Sequence, residues 1–253
     1  MNKRAIRFFI ILILVIIVVI VANISMRNFG IAQINITVEY AGGDTLIDKR
    51  DVSTMISKRF GNPLSKKRKE VNGEEIEEYL LKQNFVASAN VYLTLGGKLN
   101  VEVRQNRPIA RIYTSDGGQF YVDENKEVCD ISKTRAANVL IVNGDLKTRV
   151  KRKTIIDSVA FPIYNDICNM VLAINKDDIL KHQIDQIYYS KKKGFQLLPK
   201  VGDYVILLGS TKSMEEKLNK LHYLYKYGFS KHGWDNYSEV NLEFNNQVIC
   251  TRK

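Results

Sequence analysis

The chain begins with a long apolar run and continues with shorter amphipathic patterns. No charged side chain occurs from Phe8 to Met26, and about 19 residues at about 1.5 Å each nearly match a hydrocarbon core about 30 Å thick. Residues 8–26 are therefore predicted to span a membrane as one helix. A cleaved signal peptide and a buried core helix are the alternatives. A signal peptide has a shorter apolar region followed by small residues, whereas this run leads into Asn23-Ile24-Ser25-Met26.

The charges around this run predict its orientation. Lys3, Arg4 and Arg7 precede it, and Arg27 follows it closely. Because positive residues concentrate on the cytoplasmic side of a membrane span, residues 1–7 are expected to form a cytoplasmic tail. Everything from about residue 28 onward is then exported.

The exported chain first shows a pattern typical of a small α+β module, residues 29–106. Apolar residues alternate with polar ones where a half-buried strand is expected, and recur at helical spacing where helices are expected. The predicted elements are a strand Ile31–Tyr40, a helix Asp44–Phe60, a helix whose capping box is Asn72 with Glu75, and strands Ala87–Leu95 and Lys98–Gln105 joined through Gly96-Gly97.

Residues 107–253 show short strands separated by turn residues and flanked by helices, which predicts a mixed β domain. A helical region, Ile155–Ala173, is expected to be kinked or interrupted near Pro162. A second helix is expected to open with a capping box of Ser213 and Glu216 and to end at Gly228. The predicted strands are Ile109–Ser115, Gln119–Asp123, Glu127–Ile131, Val139–Asn143, Ile184–Ser190, Phe195–Leu198, Tyr204–Leu208, Glu239–Asn245 and Gln247–Thr251.

Charge and cysteine content add little to this picture. The chain carries a net charge of +11, and the four basic residues before residue 28 leave +7 for the exported part. Basic runs such as Lys66-Lys67-Arg68-Lys69 are interpreted as solvated loops, with an anionic lipid or cell-wall surface as the alternative. Cys129, Cys168 and Cys250 lack CxxC spacing and are interpreted as small buried side chains, with one disulfide as the alternative.

The motifs of the common enzyme classes are not found. The histidines at 182, 222 and 232 form no HExxH pair, and Ser210 lacks the second glycine of a GxSxG elbow. Trp234 is interpreted as an anchor of the last helix-strand corner rather than as a sugar-stacking residue. We therefore expect no catalytic residue, no metal, no cofactor and no small-molecule substrate, and an exported chain has no access to nucleic acid.

Several segments, taken in order, resemble the FtsQ/DivIB family of bacterial cell-division proteins. The ending Asn246-Gln247-Val248-Ile249-Cys250-Thr251 is especially similar to members from Bacteroidetes. The resemblance is carried by Asn84–Val91, Leu99–Ala110, Phe120–Asp123, Val142–Gly144 and Val240–Val248, together with the amino-terminal anchor. It implies a POTRA module (β-α-α-β-β) at 29–106 and a carboxy-terminal β domain at 107–253.

The resemblance also implies a function: a non-catalytic scaffold of the divisome, held in the inner membrane with its domains in the periplasm and concentrated at the septum. Its β domain would capture FtsB/FtsL-type partners by β-augmentation, in which a partner strand pairs with an open sheet edge. Phe244, Asn246, Gln247, Val248 and Cys250 are the expected partner-binding residues. Alternatively, Phe244 and Val248 point into the core and only the backbone faces the partner.

Two other classes of protein are weighed against the scaffold. An exported POTRA-bearing component of polypeptide transport, or a chaperone-like module, would bind its substrate along a POTRA strand. Transport relatives usually repeat the module and end in a membrane barrel, whereas a single module is followed here by a mixed domain. A cell-wall enzyme would need an acid or a nucleophile constellation that the sequence does not show.

Overall fold

The structure, a computed structural model, describes residues 10–21, 29–40, 44–131, 135–229 and 233–253. Residues 10–21 form a helix, α1, with exposed side chains. Among the described residues, no helix is long and apolar enough to cross a membrane. The rest of the predicted span and the predicted cytoplasmic tail lie outside the described residues. The chain divides into two compact units, Met1–Asn106 and Arg107–Lys253.

The first unit has the predicted order of strand, helix, helix, strand, strand. The elements are β1 (Gln33–Glu39), α2 (Lys49–Phe60), α3 (Gly73–Leu81), β2 (Val86–Leu93) and β3 (Lys98–Gln105). Its sheet has the strand order β1-β3-β2, in which β1 pairs parallel and β2 antiparallel with the central strand. Two 3₁₀ turns, Pro63–Ser65 and Arg68–Glu70, connect the helices.

Helix α2 begins five residues later than predicted, because the preceding segment is bound to β3. The buried Gln105 side chain donates to the Asp44 carbonyl (2.9 Å) and accepts from the backbone N–H groups of Leu46 and Ile47. Asp48 then caps the helix, and its own N–H donates to the Asp51 carboxylate at 2.9 Å. The predicted start at Asp44 is therefore wrong.

Helix α3 begins at the predicted cap but with a different bond. The Asn72 side chain accepts from the Glu74 N–H at 3.1 Å. Alternate β residues and the apolar helix faces then form one core, whose members include Val52, Ile56, Ile76, Leu80, Val101 and Val103.

The second unit contains a large mixed sheet and, among its described residues, three α-helices. Its elements are β4 (Pro108–Tyr113), β5 (Gln119–Asp123), β6 (Val128–Cys129), β7 (Leu140–Gly144), α4 (Pro162–Lys176), α5 (Leu180–Gln183), β8 (Ile184–Ser190), β9 (Gly194–Pro199), β10 (Val205–Gly209), α6 (Met214–Tyr223), β11 (Tyr237–Asn241) and β12 (Ile249–Arg252). The strand order in the sheet is β12-β11-β10-β9-β8-β7-β4-β5-β6. Three of its pairings are parallel (β4 with β7, β7 with β8, β10 with β11), so the unit is more than a series of hairpins.

Helix α6 opens directly after Ser213, as predicted, whereas the region around Pro162 differs from the prediction. Pro162 does not kink a helix but is the first residue of α4, where a missing N–H costs nothing. Ser213 adopts φ 52° and makes no side-chain capping bond, so the capping box with Glu216 does not form. Helix α6 also continues beyond Tyr223 as a π-helix, Leu224–Phe229, through the glycine at which it was expected to end.

The core of the second unit joins α4 and α6 to the sheet. Apolar residues of the inner strands and of the two helices are fully buried together, among them Val142, Ile187, Leu197, Ile206, Ile167, Val171 and Leu221. This packing holds β10 and β11 firmly, and β11 in turn carries the last strand of the sheet.

Candidate partner-binding edge

Strand β12 lies at one edge of the large sheet. It pairs antiparallel with β11 in the register Asn241↔Ile249, Val240↔Cys250 and Glu239↔Thr251, with a bulge before Tyr237↔Arg252. In the part of the chain that the structure describes, no strand pairs with the other side of β12. An open edge of this kind presents backbone N–H and C=O groups that another strand can bind.

The direction of the backbone groups follows from one bond at the end of the strand. The Lys253 N–H donates to the Asn236 carbonyl at 3.2 Å, toward β11. Alternate residues of an antiparallel strand point their N–H and C=O groups in opposite directions. The backbone groups of Thr251, two positions before Lys253, therefore also point toward β11. Cys250 therefore presents its backbone groups outward, to the open edge, and the Arg252 N–H points the same way, whereas the Arg252 carbonyl accepts from the Ser238 hydroxyl of β11 at 3.5 Å.

The five expected partner-binding residues occupy two kinds of position. Val248 and Cys250 are partly buried and pack against the core. Phe244 is 45% exposed, and Asn246 and Gln247 are exposed as well. The structure thus brings these residues together on one loop and its following strand, with some side chains facing inward and others facing solvent.

The loop between β11 and β12 is longer than predicted. The strands end at Asn241 and resume at Ile249, so Phe244 lies on the loop rather than on a strand. Asn246 takes a left-handed conformation, φ 57°, which asparagine tolerates better than most residues. The turn that was expected at Asn245-Asn246 is therefore present, but it connects shorter strands.

Lys220 on α6 holds this loop, a role that nothing in the sequence pattern revealed. Its ammonium group donates to the Phe244 carbonyl at 2.6 Å and to the Leu242 carbonyl at 3.2 Å. A charged donor makes hydrogen bonds of about twice the usual strength. Lys220 therefore fixes the backbone on both sides of Glu243.

Lys217, one turn earlier, holds the neighbouring strand end. It is only 8% exposed, and its ammonium group donates to the carbonyls of Leu208 and Ser210, both at 2.8 Å. Burial lowers the pKa of Lys217, and nearby Glu243 opposes that shift. Gly209 adopts φ 69°, a left-handed backbone conformation that favours glycine.

An aromatic cluster packs against the start of β11. Phe229 lies 5.4 Å from Trp234 and 5.7 Å from Tyr237 between ring centroids, and Tyr204 donates a hydrogen bond to Tyr225 at 3.0 Å. Trp234 thus packs at the corner between the π-helix and β11, as the sequence predicted. Such rings bury large apolar areas, so the strand next to the open edge is well anchored.

The cysteines and histidines show ordinary structural environments. The described residues include all three cysteines, and these form no disulfide with one another. Burial raises the pKa of Cys129 and of Cys168 to about 12, and it raises the pKa of Cys250 as well. His222 lies 2.8 Å from the Asp177 carboxylate. Among the residues that are described, no three His, Cys, Asp or Glu side chains cluster as a metal site would require.

Comparison with known families places both units. Residues 107–251, more than half of the chain, match the family model described as "FtsQ/DivIB, C-terminal related". Residues 32–104 match the model of a "POTRA-like domain". No curated protein matches the chain. The open edge at β12 therefore belongs to the segment matched by the first model.

Proposed function

The chain belongs to the FtsQ/DivIB family, whose members are non-catalytic, membrane-anchored scaffolds of the division septum, and we propose that its strand β12 captures FtsB/FtsL-type partners. The observation that carries this proposal is the unpaired outer side of β12 in the described structure. A partner strand would pair there by β-augmentation.

The backbone supplies the first part of the recognition. Cys250 offers an outward N–H and C=O, Arg252 offers an outward N–H, and the side chains of the strand alternate between the two faces of the sheet. Ile249 is 41% exposed on one face, whereas Cys250 packs on the core from the other. An added partner strand would extend both faces of the sheet.

Exposed aromatic side chains supply the second part. Phe244 stands on the loop held by Lys220, and Tyr223 follows one helical turn after Lys220. Tyr223 is 60% exposed and stacks on Tyr227, with ring centroids 6.1 Å apart. Large exposed aromatics are typical anchors of protein interfaces, so we expect Phe244 and Tyr223 to contact the apolar side of the partner.

The amino-terminal run completes the proposal. Residues 8–26, which contain no charged side chain, are proposed to anchor the chain in the inner membrane with residues 1–7 in the cytoplasm. Residues 29–106 and 107–253 would then act in the periplasm at the septum. The family membership and the flanking charges support this arrangement.

The test uses the full chain, tagged at its amino terminus, beside the same chain ending at Asn246. The full chain should capture FtsB and FtsL from solubilised membranes and collect at mid-cell. The shortened chain should lose the capture, because it lacks β12. Equal capture by both chains would contradict the role of this edge, and a uniform distribution around the envelope would favour a transport or chaperone function instead.

A further inference from the structure

A basic loop in the first unit is paired with the chain that follows the proposed anchor. Gly30 and Lys67 form an antiparallel bridge. The Ile31 N–H donates to the Lys66 carbonyl at 3.2 Å, and the Arg68 N–H donates to the Phe29 carbonyl at 3.1 Å. The run Lys66–Lys69 is therefore not a free loop but is fixed beside residues 29–31.

The tip of the β2–β3 hairpin is joined to the same place. The Ala32 N–H donates to the Gly97 carbonyl at 2.9 Å, and the Arg68 guanidinium donates to the Thr94 carbonyl. Gly97 has φ 81°, and a Cβ atom there would lie 3.4 Å from the Gly30 carbonyl oxygen. Three segments that are distant in sequence thus meet around residues 29–32.

These segments expose large apolar side chains beside lysines. Phe29 is 63% exposed and Leu95, at the hairpin tip, is 82% exposed. Leu64, on the 3₁₀ turn just before the basic run, is 49% exposed. Lys66, Lys67 and Lys69 form no ion pair among the described residues. The one acid close by in the run, Glu70, accepts from the Lys67 backbone N–H at 2.9 Å.

We propose that this surface, which we call the basic tip (Phe29, Leu64, Lys66, Lys67, Lys69 and Leu95), docks on the anionic phospholipid bilayer in which the chain is anchored. The inference rests on the proposed anchor. Phe29 follows Met26 by three positions, which span at most about 10 Å, so the chain keeps this end of the basic tip close to the headgroup region. Lysines near an anionic surface and inserted Phe or Leu side chains are the two attractions that hold peripheral segments on lipid.

The test places a fluorescent probe on the basic tip of the full chain. Leu95→Trp adds an indole at the most exposed position, while the native Trp234 lies in the second unit and provides the background signal. The protein is reconstituted in vesicles of phosphatidylcholine with or without phosphatidylglycerol, with bromine on the acyl chains as a quencher. The fluorescence of the introduced indole should be quenched in the vesicles that contain phosphatidylglycerol, beyond the quenching seen in the chain without the substitution.

Charge reversal tests the electrostatic part. K66E/K67E/K69E should lower the ratio of docked to undocked protein about 100-fold or more, since each lysine contributes about fivefold near such a surface. The matched control is K191E/K192E/K193E, an equal change in the β8–β9 turn of the other unit, and it should leave the quenching unchanged. Raising the salt to 1 M should release the tip, because the Debye length falls to about 3 Å.

The outcomes separate this inference from the proposed function. Two results would overturn the docking. In the first, the chain floats with the vesicles but the introduced indole shows no added quenching. In the second, the quenching is equal in neutral and anionic vesicles. Failure to float would overturn the anchor and the docking with it, while capture of FtsB and FtsL reports on β12 independently. If Leu95→Trp alters the hairpin, Phe29→Trp places the same probe on the adjoining segment.

Discussion

Arg252→Pro tests most directly whether the outward backbone of β12 is what the partner binds. The Arg252 N–H points to the open edge, and its side chain is exposed. Proline removes this donor and puts a ring in the path of an added strand. It removes no hydrogen bond to β11, because in the alternation Ile249, Thr251 and Lys253 are the residues that donate in that direction, and edge strands accept proline on their solvent side.

The expected effect follows from a single lost hydrogen bond. One backbone bond between strands contributes about 1 kcal/mol net, which corresponds to about a fivefold weaker Kd. The proline ring also keeps the partner strand from its pairing distance of about 4.8 Å, so the loss should exceed that value. The melting temperature should stay within about 2 °C of the unchanged chain, since surface changes away from packed contacts alter stability little.

Two matched variants separate the backbone from the side chain. Arg252→Ala removes the guanidinium but keeps the N–H, so it should retain most of the affinity. Thr251→Pro removes an N–H that faces β11, so it should lower the melting temperature as well as the affinity. Titration calorimetry with a purified FtsB-type partner gives Kd, and thermal unfolding followed by circular dichroism gives stability. The reasoning fails if Arg252→Pro and Arg252→Ala weaken binding equally, because the side chain would then be the determinant.

Three further predictions use the same assays. Phe244→Ala should weaken capture by about 1–2 kcal/mol and lower stability less than that, and equal losses in both would place the ring in the core instead. Hydrogen bonds from Thr114 and Thr148 lower the pKa of Asp116 to about 2, so the stability that they provide is complete above about pH 3.8 and is lost as pH falls through 2. The difference in melting temperature between the unchanged chain and Asp116→Ala should therefore shrink as pH falls over that range. A difference that stays constant would contradict this prediction. Burial lowers the pKa of Lys217, so the folded chain loses the Lys217 proton at a lower pH than the unfolded chain does. The stability of the unchanged chain relative to Lys217→Met should therefore rise as pH approaches 10.5. A relative stability that falls in alkaline unfolding curves would refute this.

Local patterns predicted the elements well where each element is shaped by its own residues. The alternation of Ile34, Ile36 and Val38 identified β1, and the cap at Asn72 identified the start of α3. The start of α2 was missed because Gln105, about 60 positions away, holds residues 44–47 to β3. A contact of that range leaves no trace in a local pattern.

The candidate site shows the same division. Its expected position at the end of the chain comes from the resemblance that the ending carries, and it stays a prediction. Lys217 and Lys220 were missed because they bind backbone carbonyls, and a carbonyl has no sequence signature. Ser213 is the residue before α6, as predicted, but its side chain makes no capping bond, since its left-handed backbone differs from the extended conformation of a usual N-cap.

The geometry of β12 also bears on how a partner is selected. Cys250 and Val248 pack on the core, so a partner strand at the outer side of β12 would bind mainly to its backbone. Backbone hydrogen bonds do not distinguish one extended peptide from another. Selection must then come from side chains that flank the edge, and among the described residues Phe244 and Ile249 are large, apolar and exposed there. Lys220 connects the two parts, because it fixes the carbonyl of Phe244 from the helix that carries Tyr223. Affinity for any strand and preference for one partner would thus reside in different groups, and Arg252→Pro and Phe244→Ala should affect them separately.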